Sequence, residues 1–170
     1  LEINSLGDNT DRENYKVSFL KWLKDNFDNL DKDSRERINK NPLRILDTKN
    51  PNTKKLLKSA PKLNQFLSKK SLERYSFIKK ELEVLRIPFI ENFNLVRGLD
   101  YYSHTAFEIT SGELGSQATV CGGGRYDDLI DQMGGGQTPA IGFAMGLERL
   151  ILIAGKGLNK RRDIDIYIVN

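Results

Sequence analysis

The sequence predicts an α+β fold, in which a lysine-rich helical part precedes an antiparallel sheet flanked by helices. Apolar residues recur at helical spacing before Pro88 and alternate with polar residues after it. Every glycine except Gly7 lies after residue 97, so turns and close backbone approaches are concentrated in the second part. The charge changes at the same place. Residues 1–88 carry 20 Lys and Arg against 13 Asp and Glu, a net +7, whereas residues 89–170 carry 7 against 10, a net −3.

The first part is predicted to be helical after one short strand. Residues 1–4 alternate apolar and polar side chains before a turn at residues 5–8, so we expect the end of a strand whose partners lie upstream. Asp8 or Thr10 can cap the first helix, and its apolar stripe predicts core rather than a ligand site. The stripe consists of Tyr15, Val17, Phe19, Leu20, Trp22, Leu23 and Phe27. Further helices are predicted over residues 31–39 behind Asp31 or Asp33, over a short stretch ending at Leu57, and over residues 72–85 behind Ser71.

The second part is predicted to form the sheet, because its side chains alternate in polarity between glycine-rich turns. Strands are expected near residues 89–96, 103–111 and 116–122, with a hairpin connection at residues 111–115. A short helix within residues 125–133, a buried strand over residues 140–144 and an apolar helix over residues 147–153, packed on the sheet, are expected to follow.

The composition indicates a chain without internal disulfide bonds, membrane-spanning runs or a secretory signal pattern. The single cysteine, Cys121, excludes an internal disulfide framework and a cysteine-rich zinc site, which fits a reducing cytoplasm. No apolar run has the length of a membrane span, and no secretory signal pattern is present. The chain begins at Leu1 rather than at Met and ends within a predicted strand, so we expect it to be a fragment of a longer protein.

Within residues 95–108, the six positions 97–102 contain one cation, one carboxylate and two phenols. The guanidinium of Arg97 suits a phosphate, because it can donate two parallel charge-assisted hydrogen bonds; a salt bridge to Asp100 is the structural alternative. Tyr101 and Tyr102 would alternate faces on a strand, so at most one is expected to point into a site.

Two further segments carry candidate site residues. The run Gly122–Gly124 indicates either close approach by a ligand or a bend in the strand, and its spacing matches neither a phosphate loop nor a dinucleotide fold. Arg149 follows a predicted strand and turn near a helix start, where it can face an anion or pair with Glu148. No catalytic role is expected for His104, which has no evident partner, or for Cys121, which is expected to be a small core residue.

In their order and spacing, residues 97–102, 122–126 and 140–150 resemble the two histidine-binding motifs and motif three of the histidyl-tRNA synthetases, a family of class II aminoacyl-tRNA synthetases. The resemblance implies a class II synthetase-like sheet with an all-helical insertion. It divides the chain into the end of a catalytic-core strand (1–7), the insertion domain (8–88), the later part of the catalytic core (89–155), and a linker with the first strand of an anticodon-binding domain (156–170).

The resemblance also implies a reaction, in which the histidine carboxylate attacks the ATP α-phosphate and the histidyl group then passes to tRNA(His). Arg97 is implied to be catalytic, by stabilising that phosphate. The implied histidine site comprises Arg97, Tyr101, Tyr102, Gly123 and Tyr126, and the implied ATP site comprises Arg97, Gly146 and Arg149. No residue is implied to bind a metal, and Mg²⁺ is expected to arrive with ATP. The full-length protein is expected to be a cytoplasmic homodimer that does not engage membranes.

The sequence departs from the family pattern at some positions, and two other functions are open for this chain. Asp128 stands where the family usually has glycine, and the dimer motif and motif two are not in this sequence, so the fragment alone is expected to be inactive. A non-catalytic synthetase paralogue that regulates histidine biosynthesis is one alternative, although such proteins usually lack the insertion and the arginine motif. An RNA-binding module without catalysis is the other. The basic insertion supports this alternative, which leaves Arg97, Tyr102, Tyr126 and Arg149 unexplained.

Overall fold

The computed structural model describes residues 1–96 and 101–155, and Arg97 therefore lies outside the described residues. Five strands are present in these ranges: β1 (Glu2–Ser5), β2 (Ile90–Glu91), β3 (Ser103–Thr110), β4 (Thr119–Tyr126) and β5 (Ala140–Met145). The α-helices there are α1 (Asn9–Asp25), α2 (Lys32–Arg37), α3 (Pro51–Leu56), α4 (Lys69–Val84), α5 (Leu129–Gln132) and α6 (Leu147–Ala154). The predicted strand that begins at Asp163 is also outside the described residues.

The strands form one sheet in the order β2-β1-β3-β4-β5. Three of its pairs are antiparallel, whereas β1 and β2 run parallel, so the sheet is mixed and the predicted α+β class is confirmed. The expectation that the partners of the first strand lie upstream is wrong. Glu2 pairs with both Ile90 and Glu108, because residues far along the chain return on either side of β1.

Two strands differ in extent from their predictions. The strand expected over residues 89–96 is confined to β2. Its last hydrogen bond to β1 runs from the Asn92 N–H to the Ile3 carbonyl, and the strand ends there because the next residues form a turn, in which the Leu95 N–H donates to the Asn92 carbonyl. The strand expected over residues 116–122 instead runs to Tyr126, and it contains the glycine run within regular pairing to both neighbours.

The helical part packs against the sheet through α1. Tyr15, Phe19 and Leu23 are fully buried, at the spacing expected for one helix face, whereas Val17 is exposed. These residues share one apolar cluster with Ala106 of β3, so α1 and the sheet have a common core. Asp8 caps α1 as predicted, by accepting a hydrogen bond from the Asp11 N–H.

Helix α4 begins one turn before its predicted start. Ser68 is the N-cap, and Ser71 lies buried in the first turn, where its hydroxyl donates to Asp11 at 2.5 Å. Asp11 also accepts from the Ser68 N–H, so one carboxylate joins the N-termini of α1 and α4. Burial would raise the pKa of Asp11, but the hydrogen bonds from Ser71, Ser68 and Asp8 lower it below its ordinary value.

Strand β5 and helix α6 form as predicted, but they are exposed, although the prediction was a buried strand and a helix packed on the sheet. Ile141 and Phe143 of β5 are 72% and 63% exposed, and α6 has no buried residue. The physical reason is position, since β5 is the edge strand and no described element covers this side of it. Within the described ranges, no helix combines the length and the apolar character needed to cross a bilayer.

Candidate functional site

Three tyrosine rings meet at the start of β3 and the end of β4. The ring centroids of Tyr101 and Tyr102 are 4.6 Å apart, and that of Tyr126 lies 5.4 Å from the first and 6.0 Å from the second. Tyr126 meets both neighbours edge-on, with interplanar angles of 74° and 87°, which is a favourable aromatic arrangement. We refer to these three residues as the tyrosine cluster.

The predicted alternation of Tyr101 and Tyr102 is wrong. Both residues precede β3, and Tyr101 lies in a turn, so the two-residue period of a strand does not apply to them. Their rings contact each other instead of pointing to opposite faces. Tyr102 is buried, whereas Tyr101 and Tyr126 are half-buried and leave part of the cluster accessible. Tyr101 and Tyr126 can therefore reach a bound group here, whereas Tyr102 is packed.

Glycines in the sheet make room for these rings. A Cβ at Gly142 would lie 2.7 Å from the hydroxyl oxygen of Tyr126, and a Cβ at Gly124 would lie 2.9 Å from Cδ1 of Tyr102. Gly124 and Gly142 pair with each other across β4 and β5, so the rings lie over one bare patch of sheet. The missing side chain at Gly124 is therefore explained by close approach of the Tyr102 ring and the Thr105 carbonyl, and that at Gly123 by close approach of β5.

Asp127 forms a charged cluster directly behind Tyr126. Its carboxylate accepts a hydrogen bond of 2.7 Å from Nε of Arg125, and its backbone N–H donates to the hydroxyl of Ser103. His104 Nε2 lies 3.5 Å away and Arg74 of α4 lies 3.8 Å away. Residues from β3, β4 and α4 thus converge on one carboxylate, which holds the backbone beside Tyr126.

The expectation that His104 lacks a partner is wrong, because the sheet brings it to Asp127. Its backbone is in the left-handed region, at φ 53°, where the register of β3 and β4 shifts. Burial lowers the pKa of its imidazole below the ordinary value, and Arg74 lowers it further, against the opposing effect of Asp127. Cys121 is buried, as expected for a core residue.

Sequence reasoning assigned no role to Asp127, although the residue directly follows segment 122–126, which resembles the second histidine-binding motif. Its position immediately after Arg125 and Tyr126 was the available signal, since a carboxylate two residues from an arginine can pair with it across a turn. Nothing local indicated Arg74, because its helix reaches Asp127 only through the tertiary fold.

Three further predicted site residues, Gly123, Gly146 and Arg149, do not belong to the tyrosine cluster. Gly123 lies on the opposite face of β4 from Gly124, with Phe143 beside it, so only its backbone could contact a ligand at the tyrosine cluster. Gly146 is the N-cap of α6, and the Arg149 guanidinium in its first turn donates to the Thr119 carbonyl. The structure thus brings the three tyrosines together. Residues 146 and 149 lie at the junction of β5 and α6.

Comparison with known proteins identifies the family. A family model described as histidyl-tRNA synthetase matches residues 23–150. The chain belongs to the histidyl-tRNA synthetase family. A relative from Prochlorococcus marinus (strain MIT 9301), named histidine–tRNA ligase, is 71% identical over 100% of this chain and 40% of its own length. A relative of the same name from Synechococcus sp. (strain RCC307) is 52% identical over 100% of this chain and 41% of its own length.

A solved structure agrees with this family assignment. The apo histidyl-tRNA synthetase of S. aureus matches this chain with a TM-score of 0.69 and 36% sequence identity. The match covers 93% of this chain and 38% of that structure. The chain thus spans about 40% of the length of the synthetases that it matches.

Proposed function

We propose that the full-length protein containing this chain is a histidine–tRNA ligase. The observation that carries the proposal is the tyrosine cluster over the glycine patch, in a chain of the histidyl-tRNA synthetase family. In the proposed reaction a carboxylate oxygen of histidine bonds to the α-phosphorus of ATP as the bond to pyrophosphate breaks. The acyl carbon is then attacked by a terminal ribose hydroxyl of tRNA(His), and AMP leaves.

The tyrosine cluster is proposed to hold the histidine side chain. Tyr101 and Tyr126 are half-buried, so each offers ring surface and a hydroxyl that a bound imidazole can contact. The buried ring of Tyr102 supports them from below, over Gly124. Asp127 is proposed to keep Tyr126 in place, because its backbone N–H donates to Ser103 and its carboxylate contacts Arg125 and Arg74 of α4.

Cations are proposed to hold ATP. Arg97 would stabilise charge on the α-phosphate, and Arg149 would contact the nucleotide from the first turn of α6, next to Gly146. Mg²⁺ would enter on the ATP phosphates and neutralise part of their charge. Among the described residues, no three potential metal ligands are grouped together, and we assign no metal site to this chain. Homodimer formation and a cytoplasmic location are further parts of the proposal.

The helical region is proposed to contact tRNA. It carries the positive charge of the chain, and phosphate contacts need only lysine or arginine. A solvated lysine face is the competing explanation. Lys54 and Lys55 are exposed and free to take part, whereas Lys79 pairs with Glu91 at 3.1 Å and stacks on Tyr75.

Two assays on the full-length protein test the proposed activity. Histidine-dependent exchange of pyrophosphate into ATP should be robust, and histidine should be transferred to tRNA(His). A regulatory paralogue would bind histidine in calorimetry without exchange, whereas an RNA-binding module would bind tRNA without binding histidine. Either of those results would replace the ligase proposal.

A further inference from the structure

Two aspartates, Asp127 and Asp128, join the strand that carries Tyr126 to the short helix α5. The pairing of β4 with β5 ends at Tyr126, which lies opposite Ala140. The chain on the far side of Tyr126 is therefore held by the groups that the two aspartates contact. We refer to these two residues as the aspartate pair.

Asp127 contacts helix α4 through Arg74. Nη1 of Arg74 lies 3.8 Å from Oδ2 of Asp127, and the two side chains are 31% and 19% exposed, so water screens this ion pair only in part. Nη1 is buried and makes no hydrogen bond with any residue that the structure describes. His104 lies near the same oxygen, but burial lowers its pKa, so its imidazole is neutral at neutral pH. The positive charge that faces Oδ2 therefore belongs to Arg74.

Helix α4 holds Arg74 in a defined place. Ser71, three residues earlier and on the same side of the helix, donates its hydroxyl to Asp11 at 2.5 Å. Tyr75, the neighbour of Arg74, is buried, and its hydroxyl lies 3.5 Å from the Ile3 carbonyl oxygen of β1. The first two turns of α4 are thus attached both to α1 and to the sheet, and Arg74 is a fixed point against which a carboxylate can be placed.

Asp128 contacts helix α1 through Asn9. Nδ2 of Asn9 donates to Oδ2 of Asp128 at 2.8 Å, and Oδ1 of Asn9 accepts from Arg12, so the amide is held from both sides. The backbone at Asp128 has φ −104°, which does not require glycine. A glycine there would provide no acceptor for Asn9. Since Asp11 already joins the N-termini of α1 and α4, one unit of two helices holds the aspartate pair at two points.

We propose that Arg74 and Asn9 are positioning residues for histidine, which hold the aspartate pair and thereby fix the end of β4 and the ring of Tyr126. The proposal rests on the proposed ligase function, in which Tyr126 contacts the imidazole of histidine. It gives the helical region a second task, in which two of its side chains set the affinity of the amino-acid site. Without these contacts the end of β4 is less confined, so the tyrosine cluster binds histidine more weakly.

Steady-state pyrophosphate exchange by the full-length protein tests the proposal, because this assay requires histidine and ATP but no tRNA. Arg74→Ala should raise the KM for histidine several-fold, with kcat and the KM for ATP near wild type. Arg74→Lys should recover part of the change, since it restores the charge without the planar guanidinium. Lys70→Ala is the matched control, because it removes an exposed positive charge from the same helix, and it should leave all three constants unchanged.

A double-mutant cycle separates positioning from stability. Adding Arg74→Ala to Asp127→Asn should raise the histidine KM little beyond the effect of Asp127→Asn alone, because both changes remove one contact. Asn9→Ala should raise the same KM by a smaller factor, since its contact is exposed. Urea unfolding is measured for every variant.

A wild-type histidine KM in Arg74→Ala, or effects of Arg74→Ala and Asp127→Asn that multiply, would overturn the role of Arg74 even where the unfolding midpoint falls. A wild-type histidine KM in Asn9→Ala would overturn the role of Asn9. A wild-type protein without histidine-dependent exchange would instead overturn the proposed function.

Discussion

Tyr102, the residue immediately before β3, lies directly over Gly124 of the neighbouring strand β4. A Cβ at Gly124 would be 2.9 Å from Cδ1 of Tyr102 and 2.5 Å from the Thr105 carbonyl oxygen. The ring could shift to accommodate a methyl group, but the carbonyl belongs to β3 and cannot move without disturbing the sheet. The shape of the tyrosine cluster therefore depends on the absence of one side chain in β4.

Replacing Gly124 with alanine should disturb the tyrosine cluster. We expect Gly124→Ala to destabilise the protein by about 1–3 kcal/mol, the usual effect of overpacking, and to raise the KM for histidine in the proposed full-length ligase. Gly136→Ala is the control, because a Cβ there would meet nothing within 4 Å. Urea unfolding and pyrophosphate exchange measure the two effects. Wild-type histidine affinity in Gly124→Ala would show that the position of Tyr102 does not matter for binding.

Arg97 should affect the adenylation rate more than histidine affinity. A cation placed on developing charge typically supplies on the order of 3 kcal/mol, so Arg97→Ala should slow single-turnover adenylation by roughly a hundredfold. Arg97→Lys should restore only part of the rate, because an ammonium cannot donate the paired hydrogen bonds of a guanidinium. A rate for Arg97→Ala within a factor of about two of wild type would contradict the assignment.

The 170-residue chain alone should not catalyse pyrophosphate exchange. The resemblance assigns the groups that hold the histidine amine to motif two, which this sequence does not contain, and an unaligned carboxylate reacts slowly. Calorimetry with histidine and the exchange assay should be run on this chain and on the full-length protein in parallel. Robust exchange by the shorter chain would refute the prediction.

The exposed lysines of the helical region should govern the response of tRNA binding to salt. Two double variants are tested, in which Lys54 and Lys55, or Lys79 and Lys80, are both replaced by alanine. Each should raise the KM for tRNA and flatten its salt dependence. Pyrophosphate exchange without tRNA should stay near wild type. The 54/55 pair is the cleaner test, because Lys79 also pairs with Glu91. Unchanged tRNA kinetics across a salt titration would favour a solvated lysine face.

The imidazole of His104 should titrate below its ordinary range. Burial lowers its folded pKa below the ordinary value for histidine, so neutral imidazole is favoured in the fold and the resulting stability is lost as pH falls from that ordinary value through the folded pKa. His104 is the only histidine in the chain, so its NMR ring signal is unambiguous. The titration midpoint should rise towards the ordinary value for histidine when urea unfolds the chain. Identical midpoints in the two states would contradict this account.

The sequence by itself determined the features that depend on neighbouring residues. Asp8 and Asp31 cap their helices as predicted, because an N-cap needs only a side-chain oxygen three residues before a free N–H. The burial of Tyr15 and Phe19 followed from helical spacing. The order of the three motifs was sufficient to indicate the family, which the comparisons confirm.

The tertiary structure decided which distant residues meet. It placed β1 between β2 and β3, started α4 at Lys69 behind the N-cap Ser68, and brought Arg74 to Asp127. It also turned Tyr101 and Tyr102 towards the same cluster, because both lie before the strand whose alternation would have separated them. Local periodicity reports which face of an element is apolar, but not which element covers that face. Pairing between residues far apart in sequence depends on how the whole chain closes its core, and that information is spread over every contact in the fold.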